Sequence, residues 1–240
     1  MQSERKGIIF WQFLQQKDGF FIMIDFSPIQ AIFFDFGGVL IDLDKQQCIN
    51  NLKQVTGYDF SPMIGSYLQS DIFLRFELGL ASANDFHHAV RYLSGSSASD
   101  QSIDEAWNSF LLNAPKEKKQ LLLELHQYFK IFLLSNTNVI HVECSLYPQF
   151  SGNGKMLNDY FDKCYLSNEM HLSKPECEVF EFVLQDTNLK SNACLFLDDG
   201  DENIAMAASL GFQTYLVKPY EDLCPFFSSV LAERMPHLVS

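Results

Sequence analysis

The segment Ala31–Asp42, AIFFDFGGVLID, restricts the fold of this chain more than any other stretch. Its apolar run Ile32–Phe34 is typical of a short strand that is buried on both faces of a sheet. Because the run stops at Asp35, we expect this carboxylate at the carboxyl end of the strand, where open α/β sheets bind ligands. The glycines that follow allow a sharp turn and leave room for a ligand. Asp35 is therefore a candidate nucleophile or metal ligand, and the alternative is a strand that ends in an ordinary polar turn.

Helix and strand patterns divide the rest of the chain into an alternating part and a purely helical block. Residues 45–113 show about four helical patterns and no convincing strand. Within this block, Ser82 with Asp85 and Ser102 with Glu105 match capping boxes at helix starts. After the block, strand patterns alternate with helical patterns. The expected strands are residues 131–134, 163–166, 194–197 and 213–217.

This order predicts an α/β protein with a doubly wound, Rossmann-like parallel sheet and an inserted α-helical cap. We expect the core to comprise residues 23–44 and 114–240, and the cap residues 45–113. Residues 1–22 contain two apolar stretches but no signal-peptide pattern. We expect them to form a dispensable extension packed on the domain, and the alternative is a helix that binds a partner or an interface.

Composition excludes several classes of function. The 240 residues are 47% hydrophobic, which indicates a globular protein with a sizeable core. The net charge of −13, from 17 basic and 30 acidic residues, argues against nucleic-acid binding. No apolar run is long enough to span a membrane. The six cysteines are scattered without a C-x-x-C spacing, which favours buried reduced thiols and a cytoplasmic location, and nothing identifies a protein partner.

Three polar clusters follow apolar strands or precede helices. The cluster Ser135-Asn136-Thr137-Asn138 follows a strand pattern and could hold phosphate oxygens, although a helix cap is the better interpretation of this cluster alone. Lys174 precedes Pro175 at a helix start, where a solvated surface lysine is again the simpler alternative. Asp198 and Asp199 end another buried strand, and adjacent carboxylates there favour a resident cation, with Mg²⁺ the best match, over an acidic loop.

Taken in order, these segments resemble the four motifs of the haloacid dehalogenase superfamily. The resemblance rests on Asp35 with Gly-Gly-Val, Ser135-Asn136, Lys174-Pro175, and Asp198-Asp199 with Asn203, and covers about residues 29–220. The segments LSNTN at 134–138, YLS at 165–167 and FELG at 76–79 are more similar to the branch that contains bacterial α-glucose-1-phosphate phosphatases.

The resemblance implies a residue-by-residue assignment of roles. Asp35 would attack phosphorus and form an aspartyl-phosphate, and Lys174 would neutralise charge between Asp35 and the phosphoryl oxygens. Mg²⁺ would be held by Asp35, the carbonyl of Gly37, Asp198 and Asp199. Asn203 would contact Asp199 without binding the metal itself, and would thereby hold that ligand in place. Ser135 and the Asn136 backbone would bind the transferring phosphoryl group.

One position departs from the pattern of the superfamily's phosphatases. These enzymes usually carry a second Asp, the general acid and base, two residues after the nucleophile, where this chain has Gly37. General acid–base catalysis typically contributes about 10²–10⁴-fold. Three outcomes are possible. The substrate can have a leaving group that needs little protonation, as in an anomeric sugar phosphate or an acyl phosphate. Alternatively, Asp42, Asp44 or a cap residue replaces the missing group, or catalysis is weak.

The expected function is therefore Mg²⁺-dependent hydrolysis of a small phosphorylated metabolite, with a sugar phosphate as the preferred class. One alternative is a catalytically weak domain that binds a phosphometabolite or a protein partner. A metal-independent 2-haloacid dehalogenase is less well supported, because Asp198 and Asp199 favour a metal. Specificity is expected from the cap and from the segment after Ser135, where the cationic candidates are Arg75, His87, His88, Arg91 and His141.

Overall fold

A computed structural model describes residues 11–17, 20–64, 71–152 and 154–234. The strands are β1 Trp11–Lys17, β2 Phe20–Asp25, β3 Ala31–Phe34, β4 Lys130–Ser135, β5 Lys163–Leu166, β6 Cys194–Asp198 and β7 Gln213–Leu216. The first helices are α1 Lys45–Thr56, α2 Asp71–Glu77, α3 Ala83–Ser94, α4 Asp100–Asn108 and α5 Lys116–Leu125. The later ones are α6 Val139–His141, α7 Tyr147–Gln149, α8 Leu157–Tyr160, α9 Ser167–Met170, α10 Cys177–Thr187, α11 Asp201–Ser209 and α12 Cys224–Arg234. A π-helical segment covers Val142–Leu146, and a 3-10 turn covers Ser191–Ala193.

The central sheet has the strand order β5-β4-β3-β6-β7, and every neighbouring pair is parallel. This confirms the α/β fold with a parallel sheet. Phe34, the last residue of β3, is paired with Leu133 of β4 and Leu197 of β6. Because these strands run in the same direction and in this register, Asp35, Ser135 and Asp198 leave the sheet at one edge.

The side chains of β3 alternate between two apolar layers, which is why the strand reads as one continuous hydrophobic run. Ile32 and Phe34 belong to the cluster that contains buried residues of α5 and α12. Phe33 belongs to the cluster on the opposite face, with buried residues of α10 and α11. The sheet is thus covered by helices on both faces, as the doubly wound arrangement requires.

The inserted helices α1–α4 have an apolar core of their own. Phe73, Phe86 and Trp107 pack at its centre, with ring centroids 5.1–5.6 Å apart. The capping box of Ser82 and Asp85 starts α3 as expected.

The expected capping box of Ser102 and Glu105 is wrong. The N-cap of α4 is Ser99, whose hydroxyl oxygen accepts a hydrogen bond from the Ser102 N–H, so the helix begins one turn earlier. Two linkers connect these helices to the sheet. They are paired by hydrogen bonds from Asp44 N to Phe110 O and from Leu112 N to Asp42 O.

The two N-terminal strands, β1 and β2, pair antiparallel. The alternative of a helix is therefore wrong for the strand residues, and residues 1–10 lie outside the described residues. Strand β2 crosses the expected boundary between residues 22 and 23. Its last residue, Asp25, is fixed to β7, because the Gln213 side chain accepts from Asp25 N at 2.9 Å and donates to Asp25 O at 2.7 Å. The dispensability of residues 1–22 stays a prediction.

Among the described residues, no helix has the length and apolarity needed to cross a bilayer. None of the six cysteines forms a disulfide. Only Cys48 and Cys194 are buried, and Cys144 is exposed, so the expectation of generally buried thiols is wrong in part.

Candidate active site

Three carboxylates meet at the carboxyl edge of the sheet. Asp35 directly follows β3, and its backbone N–H donates to Leu197 O at 2.9 Å. Asp198 ends β6, and Asp199 follows it. Each of the three carboxylates has an oxygen within 4.8 Å of the others, and Asp35 and Asp198 are buried. The structure therefore brings together the carboxylates that the sequence assigned to a cation.

Lys174 lies between two of these carboxylates. Its Nζ is 3.0 Å from Asp35 Oδ1 and 2.6 Å from Asp198 Oδ2, and it also donates to Leu134 O at 2.9 Å. The residue is only 4% exposed, so the alternative of a solvated surface lysine is wrong. An ammonium group that donates three hydrogen bonds has its donors fully satisfied, which fixes its position beside Asp35.

The second carboxylate oxygen of Asp198 is held by α11. Asp198 Oδ1 accepts from Gly200 N at 2.7 Å and from Asn203 Nδ2 at 2.8 Å. The expectation that Asn203 supports Asp199 is therefore wrong. Asn203 lies in the first turn of α11 and reaches back across Gly200, where a Cβ would lie 2.8 Å from Asn203 Nδ2, so the glycine gives the amide access to Asp198.

The two glycines after Asp35 have different functions. Gly38 has a φ of +73°, and a Cβ there would lie 2.2 Å from Asp199 Oδ2, so any side chain would displace that carboxylate. A Cβ on Gly37 would meet only Leu43 Cδ2, at 3.1 Å. The turn is closed by a hydrogen bond from Gly38 N to Ile41 O at 2.7 Å. The first glycine has no side chain where the resemblance implies a general acid, and the second makes room for the cluster.

The polar residues at the end of β4 and just after it divide into two kinds. Ser135 is buried, and within the described part of the chain its hydroxyl makes only a long hydrogen bond, 3.4 Å to Asn136 O. The helix-cap alternative for this cluster is confirmed at Asn138, which caps α6 by accepting from His141 N, and Ser135 takes no part in that cap. The side chain of Asn136 accepts from Lys174 N at 2.9 Å and donates to Lys174 O at 2.8 Å. Asn136 therefore fixes the backbone of Lys174, a contact that the sequence did not predict.

The electrostatics of the cluster favour an additional positive charge. Burial, opposed by the attraction of Lys174 and assisted by the negative charges of Asp198 and Asp199, raises the pKa of Asp35 to about 7. Burial and the charge of Asp198 also raise the pKa of Asp199. Burial alone would lower the pKa of Lys174, but Asp198 and Asp35 outweigh it and raise the pKa, so the lysine stays charged. One ammonium group does not balance three adjacent carboxylates.

Of the two aspartates considered as a replacement acid or base, Asp44 is engaged in a helix cap, whereas the Asp42 carboxylate has only a distant ion pair in the part of the chain that the structure describes. Asp44 is the N-cap of α1 and accepts from Gln47 N at 2.8 Å. Asp42 lies 4.0 Å from the ammonium nitrogen of Lys118, which donates to Val39 O at 2.6 Å. The Asp42 Oδ1 atom is buried without a hydrogen-bond partner among the described residues.

Most of the expected cationic specificity residues also have local partners. Arg75 donates to Leu80 O, and Arg91 donates to Asp100 and to Ala98 O. His87 lies between Asp100 and Asp104, with N–O distances of 3.3 and 2.6 Å. His141 is buried against Trp107, and burial lowers its pKa to about 4, so it is neutral at pH 7.

Two residues at the site were given no role from the sequence. Ser167, fully buried at the start of α9, contacts both the segment after Ser135 and the end of α2. Phe36 donates its backbone N–H to Asp35 Oδ1 at 2.7 Å. A backbone donor has no sequence signal. For Ser167 the signal was its position directly after the expected strand 163–166, which is where Asp35 and Ser135 also lie relative to their strands.

Comparisons with known proteins agree with this geometry. A family model described as haloacid dehalogenase-like hydrolase matches residues 29–211. The D-ribitol-5-phosphate phosphatase of Bacteroides thetaiotaomicron is 35% identical over 187 residues, which cover 78% of this chain and 91% of that protein.

Two solved structures have the same fold over most of both chains. The first is a HAD family enzyme from Bacteroides thetaiotaomicron, an aspartate-to-alanine variant in complex with magnesium and inorganic phosphate. It superposes with a TM-score of 0.81 at 38% identity, covering 83% of this chain and 98% of that chain. The second, a predicted HAD-like family hydrolase from Porphyromonas gingivalis, has a TM-score of 0.78 at 32% identity, covering 85% and 98%.

Proposed function

Because the chain belongs to the haloacid dehalogenase-like hydrolases, we propose that it is a Mg²⁺-dependent phosphatase that acts on a small phosphorylated sugar or sugar alcohol. The observation that carries the proposal is the buried contact of Lys174 with Asp35 and Asp198, beside the third carboxylate Asp199. A 2-haloacid dehalogenase needs no such excess of carboxylates. The relative with phosphatase activity and the neighbouring structure with magnesium and phosphate support the same choice.

The residues of the cluster fit a magnesium ion. Oxygen ligands that keep room for water and a substrate phosphate suit Mg²⁺. Asp35, Asp198 and Asp199 supply carboxylate oxygens within 4.8 Å of one another, and Gly38 leaves the space that Asp199 needs. We assign these three carboxylates and the carbonyl of Gly37 as the ligands. When bound, the ion screens the repulsion between the carboxylates and a phosphate dianion and favours the ionised form of Asp35.

The protein groups account for both steps of hydrolysis. Phe36 N and Lys174 hold Asp35 Oδ1, which orients the carboxylate for attack on phosphorus. The new bond joins an Asp35 oxygen to phosphorus as the bond to the leaving oxygen breaks, and Ser135 and the Asn136 backbone bind the transferring group. Water then attacks phosphorus, the bond to Asp35 breaks, and inorganic phosphate leaves.

The absent side chain at Gly37 affects the protons in both steps. The leaving oxygen takes its proton from water, and the attacking water releases its proton to solvent, because no side chain projects from residue 37. This favours leaving groups that need little protonation, such as anomeric phosphates. The relative, in contrast, is named for ribitol 5-phosphate, the ester of a primary alcohol. We therefore propose the broader class, a phosphorylated sugar or polyol, and test the two ester types against each other.

The test is phosphate release from ribitol 5-phosphate and glucose 1-phosphate, with Mg²⁺ and with EDTA, by the wild type and by Asp35→Asn. We expect turnover of at least one ester that depends on Mg²⁺ and is abolished in Asp35→Asn, while the circular dichroism spectrum and melting of the variant show a folded protein. Turnover that survives in Asp35→Asn would exclude the covalent mechanism.

The second candidate function is a domain that binds a phosphorylated metabolite with little turnover. The observation that favours it is again Gly37, which removes a group worth about 10²–10⁴-fold in rate. In that case the wild type binds inorganic phosphate with Mg²⁺ in a calorimeter but releases phosphate from no ester in a broad panel.

A further inference from the structure

The hydroxyl of Ser167 connects the helical insertion to the segment that follows β4. Ser167 Oγ accepts from Thr137 N at 2.8 Å and lies 2.6 Å from Glu77 O at the end of α2. Ser167 is fully buried between these two partners. We call residues 135–138 the phosphate loop, in the sense of the proposed function. One side chain thus contacts this loop and an inserted helix at the same time.

The contact at Glu77 belongs to a longer docking surface made of Glu77, Leu78 and Gly79. Leu78 O lies 2.7 Å from His171 Nδ1, just after α9. Gly79 has a φ of +64°, and a Cβ on it would lie 2.0 Å from the carbonyl oxygen of Asn168. A close approach of two backbones at that point is feasible only for glycine. Three consecutive residues therefore dock against one short helix of the core.

Through Thr137, Ser167 is also connected to Lys174. Thr137 follows Asn136, whose side chain binds both backbone polar groups of Lys174. Lys174 in turn contacts Asp35 and Asp198. A continuous chain of hydrogen bonds and one peptide link runs from the docked end of α2 to the proposed nucleophile.

We propose that Ser167 is a positioning residue that couples docking of the helical insertion to the geometry of the phosphate loop. The proposal rests on the proposed function only in the identity of the loop as the phosphoryl-binding segment. The order of that loop, and hence affinity for phosphate, then depends on whether the segment Glu77–Gly79 is docked.

The single hydrogen of the hydroxyl explains why the loop responds to docking. Ser167 Oγ can donate to Glu77 O at 2.6 Å or to Thr137 O at 3.0 Å. While the segment is docked, the shorter bond to Glu77 O takes the hydrogen. A hydroxyl that donates strongly is also a stronger acceptor, so docking strengthens the bond from Thr137 N. Undocking returns the hydrogen to Thr137 O and opens the buried hydroxyl to water.

The first experiment compares Gly79→Ala with Gly95→Ala by amide hydrogen exchange. Both glycines follow a helix of the insertion and have nearly the same φ, +64° and +67°, but a Cβ on Gly95 meets nothing within 4 Å. The two variants therefore share the backbone strain, and only Gly79→Ala presses on Asn168. We expect faster exchange of the Thr137 amide, by roughly threefold or more, in Gly79→Ala alone. Equal exchange at Thr137 in the two variants would overturn the coupling.

The second experiment removes the hydroxyl itself. In Ser167→Ala, Thr137 N loses its acceptor, and we expect about tenfold weaker binding of inorganic phosphate with Mg²⁺ and about tenfold faster exchange at Thr137. The control is Ser145→Ala, which removes a buried hydroxyl that bonds Gln149 rather than the phosphate loop. Phosphate affinity that is unchanged in Ser167→Ala, or reduced equally in both variants, would contradict the assignment.

The two proposals can fail separately. Exchange at Thr137 needs no turnover, so the coupling is tested even if the wild type hydrolyses no phosphate ester, and that result would remove only the proposed function. If the wild type is active but exchange at Thr137 does not respond to Gly79→Ala, only the proposed coupling is contradicted.

Discussion

The core and the inserted helices each contain a nitrogen-bearing side chain between two carboxylates, and the two clusters differ in burial. In the core, Lys174 lies between Asp35 and Asp198, and both carboxylates are buried. In the insertion, His87 lies between Asp100 and Asp104, whose side chains are 57% and 30% exposed. Water stabilises the second pair of carboxylates, whereas the first pair depends on protein groups for its charge balance.

This difference indicates which cluster carries chemistry. Burying carboxylates that lack enough positive charge is costly, and such an arrangement is typical of a site that binds a cation or a reacting group. A buried histidine with solvated carboxylates costs little and joins α3 to α4. The comparison predicts that changes in the core cluster alter activity and that changes in the insertion cluster alter stability.

The largest effect is expected for Lys174→Gln. Removing the ammonium group leaves Asp35 and Asp198 to repel each other and the substrate, so kcat/KM for phosphate release should fall by at least about 10³-fold. Lys163→Gln is the control, because Lys163 pairs with Asp186 at an exposed position. Activity of Lys174→Gln within tenfold of the wild type would show that the lysine is only structural.

The pH dependence of stability tests the same cluster with the cation removed. Asp35 has a pKa of about 7 in the folded chain against an ordinary 3.8, so the folded state holds an extra proton between these values. The free energy of unfolding should therefore fall as pH rises from 4 to 7, by up to about 4 kcal/mol. The raised pKa of Lys174 adds no slope in this window, since that lysine stays protonated in both states.

Urea unfolding in EDTA at pH 5 and pH 8 measures this change. In Asp35→Asn the carboxyl that titrates is gone, so most of the decrease should disappear, and addition of Mg²⁺ to the wild type should restore stability at pH 8. A wild-type protein that is more stable at pH 8 than at pH 5 in EDTA would contradict the raised pKa of Asp35.

A smaller effect is expected when Gly37→Asp places an acid two residues after Asp35, the proposed nucleophile. A Cβ there meets only the end of the Leu43 side chain, so the turn can accept it. If the missing proton donor limits the rate, hydrolysis of primary-alcohol esters should rise by about 10- to 100-fold, with little change for anomeric phosphates. Gly37→Asn is the matched control, with the same size and no proton to give. Equal rates in the two variants would assign the limit to another step.

The core of the site could be predicted from the sequence because each of its main residues ends an apolar strand or precedes a helix. Asp35, Ser135 and Asp198 follow recognisable strand runs, and parallel strands place such ends at one edge. Lys174 was identified from its place before Pro175, although only the structure shows that it is buried.

The remaining contacts could not be predicted because they depend on the direction in which a side chain points, and the position of a residue in the chain does not give that direction. Asn203 reaches Asp198 rather than Asp199 because Gly200 leaves the path open. Asn136 binds Lys174 across 38 residues of sequence. Arg75, His87 and Arg91, which were chosen for their charge, have partners inside the insertion, since a helical pattern does not show which face meets a neighbour.

The smallest effect is expected for His87→Gln, in the insertion cluster. The substitution removes a buried ring that bonds Asp104 at 2.6 Å and joins α3 to α4, so the free energy of unfolding should fall by about 1–3 kcal/mol. Because His87 is tied to Asp100 and Asp104 rather than to the carboxylates at the sheet edge, kcat and KM should stay within about twofold of the wild type. Thermal melting and steady-state kinetics on the same samples separate the two quantities.

Arg91→Gln, at the partly exposed neighbour that also pairs with Asp100, should destabilise less. A change in KM for His87→Gln that exceeds its effect on stability would place this cluster in substrate binding and remove the distinction between the two regions.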